Sequence, residues 1–368
     1  MSFYCDYMAS PPMCEEAIKA YGEAARSFIG NPNGINDLSV QASMEIARLD
    51  SRFLCLLGLK GKVKWFGTAT EATKSLFDIV SRKDKITFLV SGANHKCVFE
   101  ALNSISSRKN VQFGILKVDL NGKLVQDNLK ALVELETTRG RRCIVSIIHI
   151  NNELGTLDQI HEIAEIVHLA GGEVHLDASQ SLGKLDYRQR ASLSKMDFIT
   201  FSSRKFYGPH AGGTIYNDTI SDWHTGTPSL PNISGSVAAL QYCSNHFNPS
   251  MYEKTSILRR RFLNIVKGHF PKLYVNSIEG VPWCVNIQIP DIRHHVKMDE
   301  ILVCNDVAFS TGSACTTGLS SVLKACGYAR SHIESSCRIS FDPISADDRF
   351  IIDVAEKFSH SVLEYLNG

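Results

Sequence analysis

Short apolar runs alternate with amphipathic stretches over the first two thirds of the chain, and this alternation constrains the fold most. In the intervening stretches apolar residues recur at spacings of three and four, which is typical of helices packed on one face. Buried strands separated by such helices predict an α/β fold with a mostly parallel sheet. Ligands of such sheets bind beyond the carboxyl ends of the strands. The runs are VKWF (63–66), ITFLVS (86–91), CIVSIIHI (143–150), EVHLD (173–177), DFITFS (197–202) and GTIY (213–216).

The pattern changes after about residue 245. A helix is predicted near 251–268, short strands around 283–289 and 335–341, and a closing amphipathic helix from about 345 to 366. At 368 residues the chain has room for two domains. We expect a large domain over 13–245 and a smaller α+β domain over 246–368, with the N-terminal segment 1–12 added to the smaller one.

Charge and cysteine content exclude several classes of function. Lys plus Arg is 39 and Asp plus Glu is 38, so neither a nucleic-acid surface nor a polybasic membrane patch is expected. No apolar stretch reaches the roughly 18 to 20 residues of a membrane helix, and no N-terminal targeting segment is evident. The 11 cysteines include no CxxC pair, which favours reduced thiols in the cytoplasm over disulfides or a metal site.

Two strand ends carry residues that a plain core does not require. Lys205 follows DFITF in a loop with Ser202, Ser203 and Arg204, and Asp177 ends the strand EVHL. A single such lysine is more often a surface residue, and such an aspartate is as often a helix N-cap. Together they fit a lysine that forms a Schiff base and a carboxylate that holds a protonated pyridine nitrogen, a pairing typical of pyridoxal phosphate sites.

Three further strand ends extend this set. The segment 67–71, GTATE, follows VKWF and opens a helix, where backbone donors can bind a phosphate; a capping box without ligand is the alternative. Asn94-His95-Lys96 follows ITFLVS, and Asn151-Asn152-Glu153 follows CIVSIIHI. A lone His95 would more often be a loop histidine. The prediction therefore depends on five strand ends converging.

Four ordered motifs resemble a known family: IHINNELGTL, EVHLDASQSLGKLD, FITFSSRKFYGP and FSTGSACTTG. They are similar to the class V aminotransferase superfamily and, within it, to NifS/IscS-type cysteine desulfurases. The resemblance spans nearly the whole chain, from FYCDYMASPP to SSCRISF. It implies the PLP-dependent transferase fold type I, with a seven-stranded, mostly parallel sheet in the large domain, and pyridoxal 5'-phosphate as cofactor.

The resemblance also implies roles for single residues. Lys205 would be the Schiff-base lysine, Asp177 the partner of the pyridine nitrogen, and His95 would stack on the ring. Asn152 and Gln180 would bond the phenolic edge of the cofactor, and Thr70, Ser202 and Arg204 its phosphate. Thr227 matches a threonine that reaches the phosphate of the second subunit, which implies a homodimer.

For the reaction, the resemblance implies conversion of L-cysteine to L-alanine. Cys315 would be the nucleophile that takes the sulfur as a persulfide, and its surroundings of small polar residues suit an accessible loop. Arg338, with Asn152, would bind the substrate carboxylate, and His95 would move the proton of the substrate thiol. The sulfur would serve iron–sulfur cluster assembly or thiolation through an acceptor or scaffold protein. Selenocysteine lyase-like activity, or a catalytically weakened protein that acts through partner binding, are the alternatives.

Some positions depart from the family pattern. Arg204 replaces a histidine, Lys74 an asparagine and Asp342 a glycine. The segment between Tyr216 and Gly226 is shorter than usual, which predicts a reshaped entrance to the site.

Overall fold

A computed structural model describes residues 3–185, 191–217, 220, 223, 226–290, 292, 298–303, 306–311 and 319–367. Its strands are β1 (Phe3–Tyr4), β2 (Lys62–Phe66), β3 (Ile86–Ser91), β4 (Val111–Leu116), β5 (Arg142–Ile148), β6 (Glu173–Asp177), β7 (Phe198–Ser202), β8 (Gly212–Tyr216), β9 (Tyr274–Val275), β10 (Cys284–Gln288), β11 (Val307–Ala308) and β12 (Ser336–Ser340).

The helices of the described residues lie between these strands and at the chain ends. They are α1 (Glu15–Ser27), α2 (Asp37–Leu57), α3 (Ala69–Val80), α4 (Lys96–Ile105), α5 (Leu129–Thr138), α6 (Ile160–Leu169), α7 (Leu230–His246), α8 (Pro249–His269), α9 (Met298–Val303), α10 (Ser321–Ala325), α11 (Arg330–Glu334) and α12 (Asp348–Asn367).

A seven-stranded sheet in the order β2-β8-β7-β6-β5-β3-β4 forms the centre of the fold. The strands run parallel except for β8, which is antiparallel to both of its neighbours. All six residues of β3 are buried, as a continuous apolar run predicts for a strand covered on both faces. The predicted α/β class and mostly parallel sheet are confirmed, and the carboxyl ends of β3, β5, β6 and β7 lie along one edge.

The apolar runs of the sequence do not predict β4, a strand at the edge of the sheet. Residues Gln112 and Phe113 are exposed, and Gly114 interrupts the apolar pattern. Edge strands carry a weak apolar signal because only part of their surface is covered.

The later elements form a second, antiparallel sheet in the order β12-β10-β9. Helices α8 and α12 pack against each other, and the sequence predicted both. Strand β1, near the start of the chain, pairs with β11. The segment after β1 also contacts β12, since the amide of Met8 donates to Ser340 Oγ at 2.9 Å. Among the described residues no helix has the length and apolar character needed to cross a membrane.

Candidate active site

A cavity of about 260 Å³ lies at the carboxyl edge of the central sheet. Its walls come from the segments after β2, β3, β5, β6 and β7, from β12 and from the segment after β1. The predicted residues that line it are Thr70, His95, Asn152, Asp177, Gln180, Ser202, Arg204, Lys205 and Arg338. Two predicted residues are not in this wall: Thr227 lines a neighbouring cleft, and Cys315 lies outside the described residues.

Lys205 lies in a 3₁₀ turn, Ser203–Phe206, directly after β7. The turn ends at Tyr207, which adopts a left-handed conformation with φ of 63°. The Lys205 Nζ donates to the carbonyl oxygen of Met8 at 3.3 Å and to that of Ala9. The N-terminal segment therefore contacts the amine directly.

Asp177 ends β6 and is buried, with one carboxylate oxygen accepting the amide of Ser179 at 3.0 Å. His175 lies on the same strand and is hydrogen-bonded on both ring nitrogens, to Ser146 at 2.9 Å and Thr200 at 3.0 Å. Burial lowers the pKa of the His175 imidazole, and the Asp177 carboxylate offsets this only in part. The imidazole is therefore neutral at pH 7, and the charge of Asp177 is not cancelled by it.

His95 is the N-cap of α4, and its Nδ1 accepts the amide of Cys97 at 3.3 Å. This bond leaves the proton of a neutral ring on Nε2. Cys97 lines the cavity as well, as do Ser179 and His210. These three residues are not among the predicted ones, because no motif distinguishes them from ordinary loop or helix residues.

Asn152 and Gln180 place unpaired oxygens in this region. Asn152 Oδ1 and Gln180 Oε1 are both buried and have no hydrogen-bond partner among the described residues. The Gln180 amide nitrogen donates to the Met8 carbonyl at 2.7 Å, the same acceptor that Lys205 uses. A buried acceptor without a donor costs about 1–3 kcal/mol, so these oxygens indicate a site for a ligand that donates hydrogen bonds.

The start of α3 forms another wall of the cavity. Thr68 caps this helix by accepting the amide of Glu71 at 3.1 Å, and Thr70 lies in its first turn. Strand β8 approaches so closely that a Cβ at Gly212 would lie 2.3 Å from the amide nitrogen of Ala69. Backbone donors at such a helix start suit an anion.

Arg338 lies on β12 and is 1% exposed. Its Nη2 donates to Asp6 Oδ1 at 2.5 Å and to Ser310 Oγ at 3.1 Å, and its Nη1 donates to the carbonyl of Asn152 at 2.5 Å. The Nε is buried and has no partner among the described residues. Asp6 is not among the predicted residues, since no local spacing connects positions 6 and 338.

Of the described residues that depart from the family pattern, two line the cavity or its neighbouring cleft. Arg204 lines the cavity, whereas Lys74 lines the neighbouring cleft and pairs with Glu100 at 3.3 Å. Asp342 accepts the hydroxyl proton of Tyr207 at 2.6 Å. Within the shortened segment, residues 218, 219, 221, 222, 224 and 225 lie outside the described part of the chain.

The model of the class-V aminotransferase family matches residues 3–217. This chain belongs to that family. Membership implies pyridoxal 5'-phosphate as the cofactor.

Individual relatives match over most of their length. A cysteine desulfurase IscS of Anaeromyxobacter sp. (strain K) is 26% identical over 378 residues, which cover 94% of this chain and 89% of the relative. A cysteine desulfurase of Mus musculus is 25% identical, over 98% of this chain and 81% of the relative. A solved NifS-like protein superposes with a TM-score of 0.86 at 20% identity, over 99% and 100% of the two chains. The predicted resemblance to NifS- and IscS-like proteins and the predicted fold are confirmed.

Proposed function

We propose that this protein is a pyridoxal phosphate-dependent cysteine desulfurase, which converts L-cysteine to L-alanine and transfers the sulfur to Cys315 as a persulfide. One observation carries the proposal: Lys205, Asp177, His95 and Arg338 come from four separate elements and line one cavity. The full-length likeness to relatives named cysteine desulfurase supports the same activity.

The residues of the cavity fit the cofactor. Its phosphate would bind at the start of α3 to Thr70, with Ser202 and Arg204. Gly212 lies against the backbone there and has no side chain that would cover the N–H groups. The buried Asp177 would hold the pyridine nitrogen in its protonated form. Asn152 and Gln180 would bond the phenolic edge, His95 would stack on the ring, and Lys205 would bind the cofactor covalently. When bound, the cofactor supplies an electron sink that acidifies the Cα–H bond of an attached amino acid.

The remaining steps belong to side chains of this protein. Arg338 and Asn152 bind the carboxylate of L-cysteine and orient its Cα–H bond toward Lys205. The Lys205 Nζ, once free, removes the Cα proton and returns a proton as alanine forms. The ring of His95 moves the proton of the substrate thiol.

Sulfur transfer requires a nucleophile, and Cys315 supplies it. Its thiolate attacks the substrate sulfur, so that an S–S bond forms while the C–S bond breaks. The electron pair of the C–S bond remains with carbon, which is then protonated to give alanine. The persulfide on Cys315 would pass its outer sulfur to an acceptor or scaffold protein for iron–sulfur cluster assembly or thiolation.

A homodimer and a two-domain arrangement complete the proposal. Thr227 lines a cleft of about 540 Å³ that shares Gly67 and Ala211 with the main cavity, a position that suits a contribution to the phosphate site of a second subunit.

The large domain would span 13–245, and the small domain 246–368 with segment 1–12. No disulfide joins any two of the nine cysteines among the described residues, which supports a reducing compartment such as the cytoplasm.

The test is an absorbance spectrum of cofactor-loaded protein before and after addition of L-cysteine, with alanine quantified in parallel. We expect the absorption band of the lysine-bound cofactor, a change in that band on substrate addition, and stoichiometric alanine. Lys205→Ala should lose the band. Lys195→Ala is the matched control, because Lys195 pairs with Glu165 at an exposed position. A wild-type protein that stays colourless after loading would contradict the proposal.

A further inference from the structure

Asp6, Ser310 and Arg338 form a closed ring of hydrogen bonds beside the cavity. Arg338 Nη2 donates to Asp6 Oδ1 and to Ser310 Oγ, and the Ser310 hydroxyl donates to Asp6 Oδ2 at 2.8 Å. Both oxygens of Asp6 and both N–H groups of Nη2 are therefore engaged. Arg338 is 1% exposed and the Asp6 side chain 17%, so this is a largely desolvated ion pair.

The engagement of Nη2 limits how Arg338 can bind another carboxylate. A guanidinium binds a carboxylate best through two parallel N–H groups. The guanidinium has two edges at which two N–H groups point in the same direction, away from the rest of the side chain. One edge is formed by Nε and Nη2, and the other by Nη1 and Nη2. Because both edges include Nη2, neither is available while Asp6 and Ser310 hold that nitrogen.

The donors that remain do not replace this pair. Nη1 already donates to the carbonyl of Asn152, and Nε is buried and has no partner among the described residues. An incoming carboxylate can reach Nε alone, or Nε together with Nη2 after an existing acceptor has left. The unpartnered Nε also indicates that Arg338 is built to accept one more ligand.

Charge adds to this competition. Asp6 already neutralises Arg338, so a substrate carboxylate brings a second negative charge into a site with little water. Like charges close together in such surroundings repel strongly, whereas a buried arginine without a counter-ion attracts an anion. Substrate binding is therefore opposed by Asp6 both through geometry and through charge.

We propose that Asp6 is an internal counter-carboxylate that competes with the substrate carboxylate for Arg338 and so sets the affinity of the site for α-amino acids. The inference rests on the proposed function, in which Arg338 binds the substrate. Asp6 is a specificity-determining residue in this scheme, and it acts through Arg338. A purely orienting role for Asp6 makes the opposite prediction, since loss of the contact would then weaken binding.

The N-terminal segment extends the effect of this competition. Two residues after Asp6, the carbonyl of Met8 accepts hydrogen bonds from Lys205 and Gln180. Displacement of the Asp6 side chain therefore acts on the same short segment that holds the Lys205 amine.

Equilibrium binding tests the inference with cofactor-loaded protein. L-alanine, the product of the proposed reaction, is titrated while the cofactor absorbance is recorded, and L-alaninamide, which lacks the carboxylate, is titrated in parallel. The variants are Asp6→Asn and Ser310→Ala; the second frees one N–H of Nη2 without a change in charge. Asp348→Asn is the matched control, because Asp348 pairs with Arg261 at an exposed position.

We expect Asp6→Asn to lower the Kd for L-alanine by at least about fivefold, and Ser310→Ala to lower it by a smaller factor. The Kd for L-alaninamide should not change. In an Arg338→Gln background the gain from Asp6→Asn should disappear, as a double-mutant cycle requires of interacting residues. Thermal unfolding identifies any variant that fails to fold, and Ser310→Ala then provides the test.

Three results would overturn the inference. The first is an unchanged or raised Kd for L-alanine in both variants. The second is a gain in affinity from Asp6→Asn that persists in the Arg338→Gln background or that also appears for L-alaninamide. In the third, wild-type protein responds to neither L-cysteine nor L-alanine, which removes the proposed function and this inference with it. Equal Kd values in a responding wild type and its variants remove the inference alone.

Discussion

Ser320 donates a hydrogen bond to the buried carboxylate of Glu153. Glu153 follows Asn152 in the loop after β5, and Ser320 caps α10 by accepting the amide of Leu323 at 2.9 Å. Burial raises the pKa of Glu153, although this hydrogen bond and the charges of Arg338 and His95 oppose that effect. One contact therefore connects the loop after β5, which carries Asn152, to the helix that follows the chain segment containing Cys315.

Replacing Ser320 with Ala should destabilise the protein, because it removes this hydrogen bond and the helix cap together. We expect the free energy of unfolding in urea to fall by about 1–3 kcal/mol. Ser321→Ala is the matched control, since the neighbouring Ser321 is exposed. Equal losses in the two variants would show that the contact with Glu153 contributes nothing.

Cys315 should be required for sulfur transfer but not for cofactor binding. We expect Cys315→Ser to retain the cofactor absorption band and to lose sulfide release from L-cysteine in the presence of a reductant. Cys55→Ser, at an exposed cysteine, should behave as wild type. If Cys315→Ser still releases sulfide at the wild-type rate, the nucleophile is another group. Retained turnover of selenocysteine by Cys315→Ala would instead favour a selenocysteine lyase-like enzyme.

The site could be predicted from sequence where its residues follow buried strands. Apolar runs identify β3, β5, β6 and β7, and parallel strands bring their carboxyl ends to one edge of the sheet. For that reason the strand pattern alone predicts that His95, Asn152, Asp177 and Lys205 share one cavity. Their roles toward cofactor and substrate came from the family resemblance.

Contacts between distant parts of the chain could not be predicted in this way. Asp6 and Arg338 are 332 positions apart, and neither periodicity nor strand pattern relates them. The Met8 carbonyl, which accepts from both Lys205 and Gln180, carries no signal in sequence because every residue has a carbonyl. Such contacts depend on where the N-terminal segment lies after the sheets have formed.

Gly212 should be necessary for cofactor affinity. A Cβ at this position would lie 2.3 Å from the amide nitrogen of Ala69 and 2.4 Å from the carbonyl carbon of Thr68, so β8 and the start of α3 would have to separate. We expect Gly212→Ala to weaken cofactor binding by more than about tenfold, a loss of about 1.4 kcal/mol, as measured by absorbance titration.

Gly268→Ala is the control for this change. It adds a Cβ on α8 with no atom within 4 Å, and it should leave cofactor affinity unaltered. Tight cofactor binding by Gly212→Ala would show that the start of α3 does not hold the phosphate.

Asp158 should make stability depend on pH. Its carboxylate is buried and accepts the amide of Leu124 at 3.2 Å. Burial raises the pKa of Asp158 from 3.8 to about 7, against the opposing hydrogen bond from Leu124 and the charge of Lys123. The folded state therefore favours the protonated form. The contribution of the protonated Asp158 carboxyl to the free energy of unfolding is complete below its ordinary pKa of 3.8, and it is lost as the pH rises toward 7.

Asp158→Asn keeps an acceptor oxygen at this position and cannot titrate. The free energy of unfolding of this variant, relative to wild type, should therefore increase by more than about 1 kcal/mol between about pH 5 and about pH 8. Urea unfolding at a series of pH values measures the difference directly. A difference that stays constant, or that decreases with rising pH, would mean that Asp158 is already ionised in the folded protein at pH 5.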